Sequence, residues 1–268
     1  MVIRAIVRKL KAIIELMRPR HTAQIVGIVA TFSILSYGFS TQALFAIVAS
    51  LFASIAVFLL DDAHDYKSDK IAHPQRPIPM GLITVRQAYL AAAFLLFVGI
   101  LLASRLLLHQ FGMFIILIVV SMGVILLKLE SILRAFLTAF AIWALLPFSA
   151  SLDSKTALFG LILALPHIGG SITKDFLHSS GDRTQGIPPP TKWEKYVASS
   201  AFFLTGATVW LPTILGYVTW LYLPPISITG VASIALGTST LKGDYQRVYA
   251  YGRIGMFSAL IAFILGKM

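Results

Sequence analysis

The sequence predicts an all-α protein: a polytopic membrane bundle of nine transmembrane helices around a central cavity, with the N-terminus in the cytoplasm. Three observations carry that expectation. Of the 268 residues 57% are hydrophobic and only 12% are charged, and mean hydropathy is +0.84; a soluble domain carries about twice that charge. The apolar residues fall into runs of roughly 20, the length that crosses ~30 Å of hydrocarbon as a helix. The basic residues sit between those runs with a consistent bias to one side, as membrane topology demands. The net charge of +11 therefore reflects topology, and no nucleic-acid partner is expected. The chain contains no cysteine, which excludes disulfides and thiolate metal sites.

The elements follow in order. The tail is basic, with Arg4, Arg8, Lys9, Lys11, Arg18 and Arg20. The apolar run after it is longer than a signal-peptide core, lacks a convincing cleavage site and is followed by many more runs, so it reads as a retained first span. Spans are expected at 21–39, 42–60, 84–104, 107–127, 133–151, 157–175, 195–213, 216–240 and 247–266. The tightest division lies within 195–240, where WLPTILGYVTWLYLPP leaves little room for a loop. With the N-terminus inside, every Lys and Arg except Arg105, Lys155 and Lys267 falls in the tail or on the inner side. The chain is expected to be one transmembrane domain over 1–268, capped on the cytoplasmic side by long loops at 61–83 and 176–194. Long inner loops beside short outer ones place function on the cytoplasmic face of the cell membrane.

Acidic residues are the anomaly. Six of the eleven lie in two short segments. DDAHDYKSD carries Asp61, Asp62, Asp65 and Asp69; KDFLHSSGD carries Asp175 and Asp182. Asp62, Asp65 and Asp69 stand at i, i+3, i+7, one face of a helix. Asp175, His178 and Asp182 repeat the spacing. Like charges on one face repel, and carboxylates at membrane depth cost several kcal/mol unless something compensates. A lone aspartate could simply solvate a loop. Two clusters with matching spacing, each after an even-numbered span, point instead to a divalent cation. Mg²⁺ accepts a few carboxylates and completes its shell with water and phosphate oxygens. Two such clusters ringed by Lys and Arg suit a Mg²⁺–pyrophosphate.

DDAHDYKSD followed by KIAHPQRPIPMGLIT resembles the first signature of the UbiA superfamily of intramembrane prenyltransferases. KDFLHSSGDRTQG resembles the second, ELMRPRHTAQIVG the opening Arg-Pro segment, and GRIGMFSALIAFILG the close of the archaeal lipid-synthesising branch, the digeranylgeranylglyceryl phosphate synthases. The resemblance implies transfer of a prenyl group, geranylgeranyl in that branch, from an isoprenyl diphosphate to an acceptor. It implies one Mg²⁺ on Asp62, Asp65 and Asp69 and a second on Asp175 and Asp182, these five being the catalytic set. Lys70, Arg76 and Arg183 would contact the diphosphate, and Asp61, Lys174, His178, Arg18 and His21 would complete the substrate-binding set. Lys128 and Arg134 would meet an anionic acceptor. The acceptor it favours is geranylgeranylglyceryl phosphate, in membrane ether-lipid synthesis; an aromatic ring such as 4-hydroxybenzoate, in quinone synthesis, is the alternative.

Three departures from the pattern stand out. Asp61 replaces Asn. His178 replaces an Asp, and imidazole is a poor ligand for hard Mg²⁺, which leaves His178 to contact phosphate as a cation or to act as a base. Prolines occupy the point after Gly186 where relatives place a Lys-Thr pair. The last two also fit a degenerate, non-catalytic or transport homologue. CDP-alcohol phosphotransferases need DG…AR…G before a spaced DxxxD, and LDDAHDYKSDK has neither that Gly nor that Arg. Of the remaining polar residues, Glu130 and Arg134 read as a local i, i+4 pair, and Gly169 and Gly170 as sites of close helix packing.

Overall fold

The computed structural model describes residues 2–127, 129–182 and 190–266, with side chains from Val7 onward except at 72, 178–182, 249 and 250. Among the described residues every regular element is helical. The order is α1 (Val2–Leu16), α2 (Pro19–Tyr37), α3 (Thr41–His64), α4 (Tyr66–Ala72), α5 (Val85–Ala103), α6 (Leu108–Leu126) and α7 (Ser131–Ser149). Then follow α8 (Ser154–Asp182), α9 (Glu194–Thr208), α10 (Leu211–Ile214), a 3₁₀ turn at Trp220–Tyr222, α11 (Leu223–Lys242) and α12 (Tyr245–Gly266).

Eight helical segments are long and apolar enough to cross a membrane: α3, α5, α6, α7, α8, α9 with α10, α11 with its leading turn, and α12. Eight of the nine expected spans fall on these helices; the first, 21–39, falls on α2, which is not among them. α2 has 19 residues, but Arg20, His21, Thr22 and Gln24 crowd its first two turns and dilute its hydropathy. Large apolar side chains on the outer faces, such as Phe94, Phe97 and Val231, are exposed, as lipid contact requires. The protein is thus a multi-pass membrane protein.

Local chemistry sets the ends. Pro19 opens α2, where its missing N–H costs nothing. Ser40 caps α3, its Oγ accepting from the Ala43 amide. Thr84 and Gln87 form a reciprocal capping box at the start of α5. Gly243 closes α11 at φ 77°, a conformation that favours glycine. Consecutive long helices pack on each other, and ion pairs join the start of α2 to the end of α3 and the start of α7 to the C-terminal part of α8. The C-terminal ends of α3 and α8 and the N-terminal ends of α2 and α7 therefore share one end of the bundle. Nearer the other end, Phe32, Phe159, Tyr222 and Phe263 form a fully buried ring cluster, with Phe263 centred 5.0–5.7 Å from the other three rings.

Four differences from the sequence-based expectation matter. The basic tail is a helix, α1. The segment 61–83 contains the end of α3 and all of α4, and the helical run breaks at Asp65, whose φ/ψ of −80°/4° caps one helix and starts the next. The first acidic motif therefore spans two helices and cannot present one continuous face. α8 runs 29 residues, so the helix that carries Asp175 continues past the expected end of its span, and Asp182 sits on it and not in a cap loop. Of the two glycines, only Gly169 is a packing site: a Cβ there would meet the Phe202 ring at 2.6 Å and the Ala198 carbonyl at 2.8 Å, whereas Gly170 faces open space.

Candidate active site

Asp61 and Asp62 sit in the last turn of α3, just past its apolar stretch, and Asp69 sits in α4. Asp62 and Asp69 are only 6% and 4% exposed. Buried carboxylates need partners, and two arginines supply them. Arg18 Nη2 lies 2.8 Å from Asp61 Oδ2 and also donates to Asp62 Oδ1. Arg76 Nη1 lies 2.6 Å from Asp69 Oδ2 and 3.6 Å from Asp62 Oδ1. Asp62 is thus shared, and the two guanidiniums lace the ends of α2, α3 and α4 together.

Both arginines are held by special backbone. Arg18 has φ 44°, the one positive φ among the described non-glycine residues. It precedes Pro19, and holding a non-glycine residue left-handed costs about 1–2 kcal/mol. The strain is offset where the side chain meets two carboxylates and lies 5.2 Å from the Phe58 ring centre. Arg76 opens the turn RPIPMG. The Met80 and Gly81 amides bond back to the Arg76 and Ile78 carbonyls, and Gly81 takes φ 72°. Ile78 is buried against Leu59 and Ala63 of α3, which pins the turn so that Arg76 reaches Asp69.

Asp65 lies between these pairs, half-buried, and among the described residues no cation comes within ion-pair distance of it. Burial, then the neighbouring Asp61 and Asp69 charges, push its carboxyl above the usual carboxylate range. A carboxylate in that position gains from any added cation.

The second cluster has a different partner. Asp175 is 7% exposed. Arg134 Nη2 of α7 lies 2.7 Å from its Oδ1, and the Ser131 hydroxyl donates to its Oδ2 at 2.6 Å. The expected Glu130–Arg134 pair is corrected by this: Arg134 crosses to α8, because a buried carboxylate attracts it more than an exposed neighbour on its own helix. Lys174, beside Asp175, is exposed. Lys70 is exposed too, its Nζ 4.6 Å from the Tyr66 ring centre on its own helix. His21 lies 6.1 Å from Phe58, ring centre to ring centre. The backbone of His178 and Asp182 continues α8, but their side chains lie outside the described set. Arg183 and Lys128 lie outside the described residues.

Below the carboxylates is an apolar cavity of about 110 Å³ between α2, α3, α6 and α7. Phe58, Phe114 and Phe148 line it, with Ser50, Ala53 and Ser54 leaving room along α3. Phe58 is one turn before Asp62 on the same helix, so the cavity abuts the charged cluster. Sequence reasoning left these three aromatics unnamed among 18 phenylalanines; the four-residue step from Phe58 to Asp62 is the signal that could have found one. It also missed Ser131 and Ile78.

Among the described residues no three acidic or histidine side chains already converge as a cation cage; guanidiniums fill the gaps between the carboxylates. The donor set nonetheless fits Mg²⁺. Asp62, Asp65 and Asp69 offer hard oxygens, one of them without a cationic partner, and the arginines beside them suit the phosphate oxygens such a cation bridges.

Fold and site together define a multi-pass membrane protein with paired acidic and arginine clusters at one end of an apolar bundle. The chain belongs to the UbiA prenyltransferase family, whose pattern matches residues 25–261. It is 26% identical to the digeranylgeranylglyceryl phosphate synthase of Natronomonas pharaonis over 273 residues, covering 97% of this chain and 98% of that protein. A solved structure of a digeranylgeranylglyceryl phosphate synthase superposes with TM-score 0.79 at 24% identity, covering 97% of this chain and 99% of the other. A UbiA homologue from Archaeoglobus fulgidus, bound to GPP and Mg²⁺, superposes with TM-score 0.59 at 14% identity over 96% of this chain and all of that one.

Proposed function

We propose that this chain transfers a geranylgeranyl group from its diphosphate to the free glyceryl hydroxyl of geranylgeranylglyceryl phosphate, with Mg²⁺. The observation that carries the reading is the Asp61–Asp62–Asp69 cluster, clasped by Arg18 and Arg76, at the mouth of an aromatic-lined apolar cavity. The identically named relatives, aligned over nearly the whole chain, support the acceptor.

Asp62, Asp65 and Asp69 would hold one Mg²⁺, and Asp175 and Asp182 a second. Arg134 and Ser131 already bond the two Asp175 oxygens, so a cation at Asp175 would share those oxygens or displace one partner. Bound there, Mg²⁺ would supply positive charge to the departing diphosphate. Arg18 and Arg76 exchange carboxylate for phosphate oxygens at little cost in hydrogen bonding; Lys70, Lys174, His178 and Arg183 lie within the same two motifs. The allylic C–O bond breaks and pyrophosphate leaves with the bonding pair. The acceptor oxygen then bonds to the allylic carbon and its proton is released. Phe58, Phe114 and Phe148 line the cavity and would shield the cationic carbon from water, where aromatic rings also steady positive charge. The cavity is smaller than the roughly 300–1,000 Å³ of ordinary ligand pockets, so a long tail must continue past it between helices toward lipid.

The reading includes a single domain over the whole chain, in the cell membrane, with the site toward the cytoplasm. Its support is the basic bias on the site's side of the bundle. The test is an assay of membrane fractions with geranylgeranyl diphosphate, offered geranylgeranylglyceryl phosphate or 4-hydroxybenzoate, with and without Mg²⁺. Transfer to the glyceryl phosphate alone, lost with chelator and lost in Asp65→Ala, is the expected result. Transfer to the aromatic ring would move the acceptor to the quinone class. No transfer with folded protein would mark a degenerate homologue.

A further inference from the structure

The first helix, α1, takes no part in the site described above, and its surface is unlike that of any span. Ala12 and Leu16 are buried, and Leu16 packs in the cluster of Ile55, Leu59, Ala63 and Ile78. Val7, Leu10, Ile13 and Ile14 are 46–58% exposed. At about 100° per residue these four fall within an arc of about 120° that points away from the buried pair. Lys9 and Lys11 border that arc on its two sides, and Arg8, Lys11 and Glu15 form the remaining face; all four are exposed. The helix therefore has three faces: one on the bundle, one apolar and uncovered, one charged.

Its depth is set by what it touches. Leu16 sits against the last apolar turns of α3, where Leu59 and Ala63 bracket Asp61 and Asp62. That is the level at which hydrocarbon gives way to headgroups. An uncovered apolar arc flanked by lysines at that level matches an interfacial helix, whose aliphatic stems lie along the apolar boundary while the ammonium groups reach phosphate.

We propose that α1 is an interfacial anchor lying in the headgroup region of the membrane surface on the site's side, with anionic lipid as its partner. The charge complementarity is specific: Arg8, Lys9 and Lys11 oppose one acid, Glu15. The anchor has a consequence for the site. α1 ends at Leu16, and the Arg18 amide still bonds to the Glu15 carbonyl at 3.0 Å. The left-handed Arg18 that clasps Asp61 and Asp62 is therefore the joint between a membrane-held helix and the first helix of the bundle.

The absence of cysteine permits a direct test on the full chain. Nitroxides are placed singly by Leu10→Cys, Glu15→Cys and, as a control for insertion, Val231→Cys on the lipid-facing side of α11. The protein is reconstituted in vesicles of phosphatidylcholine with phosphatidylglycerol, and collisions with oxygen and with a water-soluble nickel chelate are measured. The Val231→Cys label, protected from nickel, certifies each preparation. The expected result places the Leu10→Cys label ~5–10 Å below the phosphates, oxygen-rich and nickel-poor, with the Glu15→Cys label in water. In pure phosphatidylcholine, or with Arg8→Gln, Lys9→Gln and Lys11→Gln together, the Leu10→Cys label should move toward water. The proposal is overturned if Leu10→Cys and Glu15→Cys labels are equally open to nickel. It is also overturned if the Leu10→Cys depth ignores lipid charge, or if dipolar broadening shows a second copy covering the arc.

Discussion

Arg134→Met isolates the ion pair between α7 and α8. The substitution leaves Asp175, 7% exposed, with the Ser131 hydroxyl as its remaining partner. Two unit charges about 4 Å apart at an effective dielectric of ~20 attract by about 4 kcal/mol. Breaking a buried pair by removing one partner costs about 3–5 kcal/mol. Arg134 is 24% exposed at its side chain, and water there screens part of the attraction, so about 2–4 kcal/mol is expected. For a chain of this size that corresponds to a fall in melting temperature of roughly 4–16 °C. Thermal unfolding in detergent micelles, followed by circular dichroism, reads the shift. Arg134→Met with Asp175→Leu should recover most of the loss, because no charge is then stranded. A single variant within about 1 kcal/mol of the parent would refute the reasoning. So would a double variant no better than the single, since the cost would then belong to packing around the pair.

Ile78→Ala should cost about 2–5 kcal/mol and should weaken diphosphate binding as well as stability, because the buried isoleucine holds the turn from which Arg76 reaches Asp69; unfolding and a KM measurement separate the two effects. Gly169→Ala should cost about 1–3 kcal/mol through its clash with Phe202, whereas Gly170→Ala, facing open space, should be neutral or gain up to about 1 kcal/mol of helix propensity; equal melting temperatures for the pair would contradict the packing. Asp153 caps α8, accepting from the Thr156 amide at 2.7 Å and from Ser151 at 2.5 Å. Burial is the largest single influence and raises its carboxyl, but the hydrogen bonds from Ser151 and Thr156 and the Lys155 charge together outweigh it and hold the group below the usual carboxylate range. Its contribution is therefore present above the unfolded-state value of about 3.9 and is lost as pH falls through the lower folded value. Asp153→Ala should cost about 1 kcal/mol at neutral pH, and Asp153→Asn should keep the cap while removing that acid sensitivity.

Much of this protein is legible before folding. Hydrophobic runs of membrane length announce themselves, since a span must be apolar over some 20 consecutive residues whatever its neighbours do. The acidic motifs and the RPIP turn are legible for a related reason: each is local, and Gly81 and Pro77 declare a turn through backbone preference alone. α1 was harder to see. Its apolar and basic residues alternate around a helix instead of gathering in a run, so composition reads it as a charged tail. The break at Asp65 was hidden as well, because i, i+3, i+7 spacing describes a helix only while the helix continues.

Pairing is what the linear order leaves open. Arg18 stands 43 and 44 positions from the two aspartates it clasps, and Arg134 stands 41 from Asp175. Nothing in the local spacing selects those partners over Glu130 or a phosphate. The amino-acid order alone determined that a greasy bundle would form with acids and bases gathered at one end, because burial of apolar runs in lipid is a property of each segment separately. Which guanidinium meets which carboxylate, and which phenylalanines border them, was decided only when helices far apart in the chain packed side by side. A buried charge takes its partner from whatever that packing brings within reach.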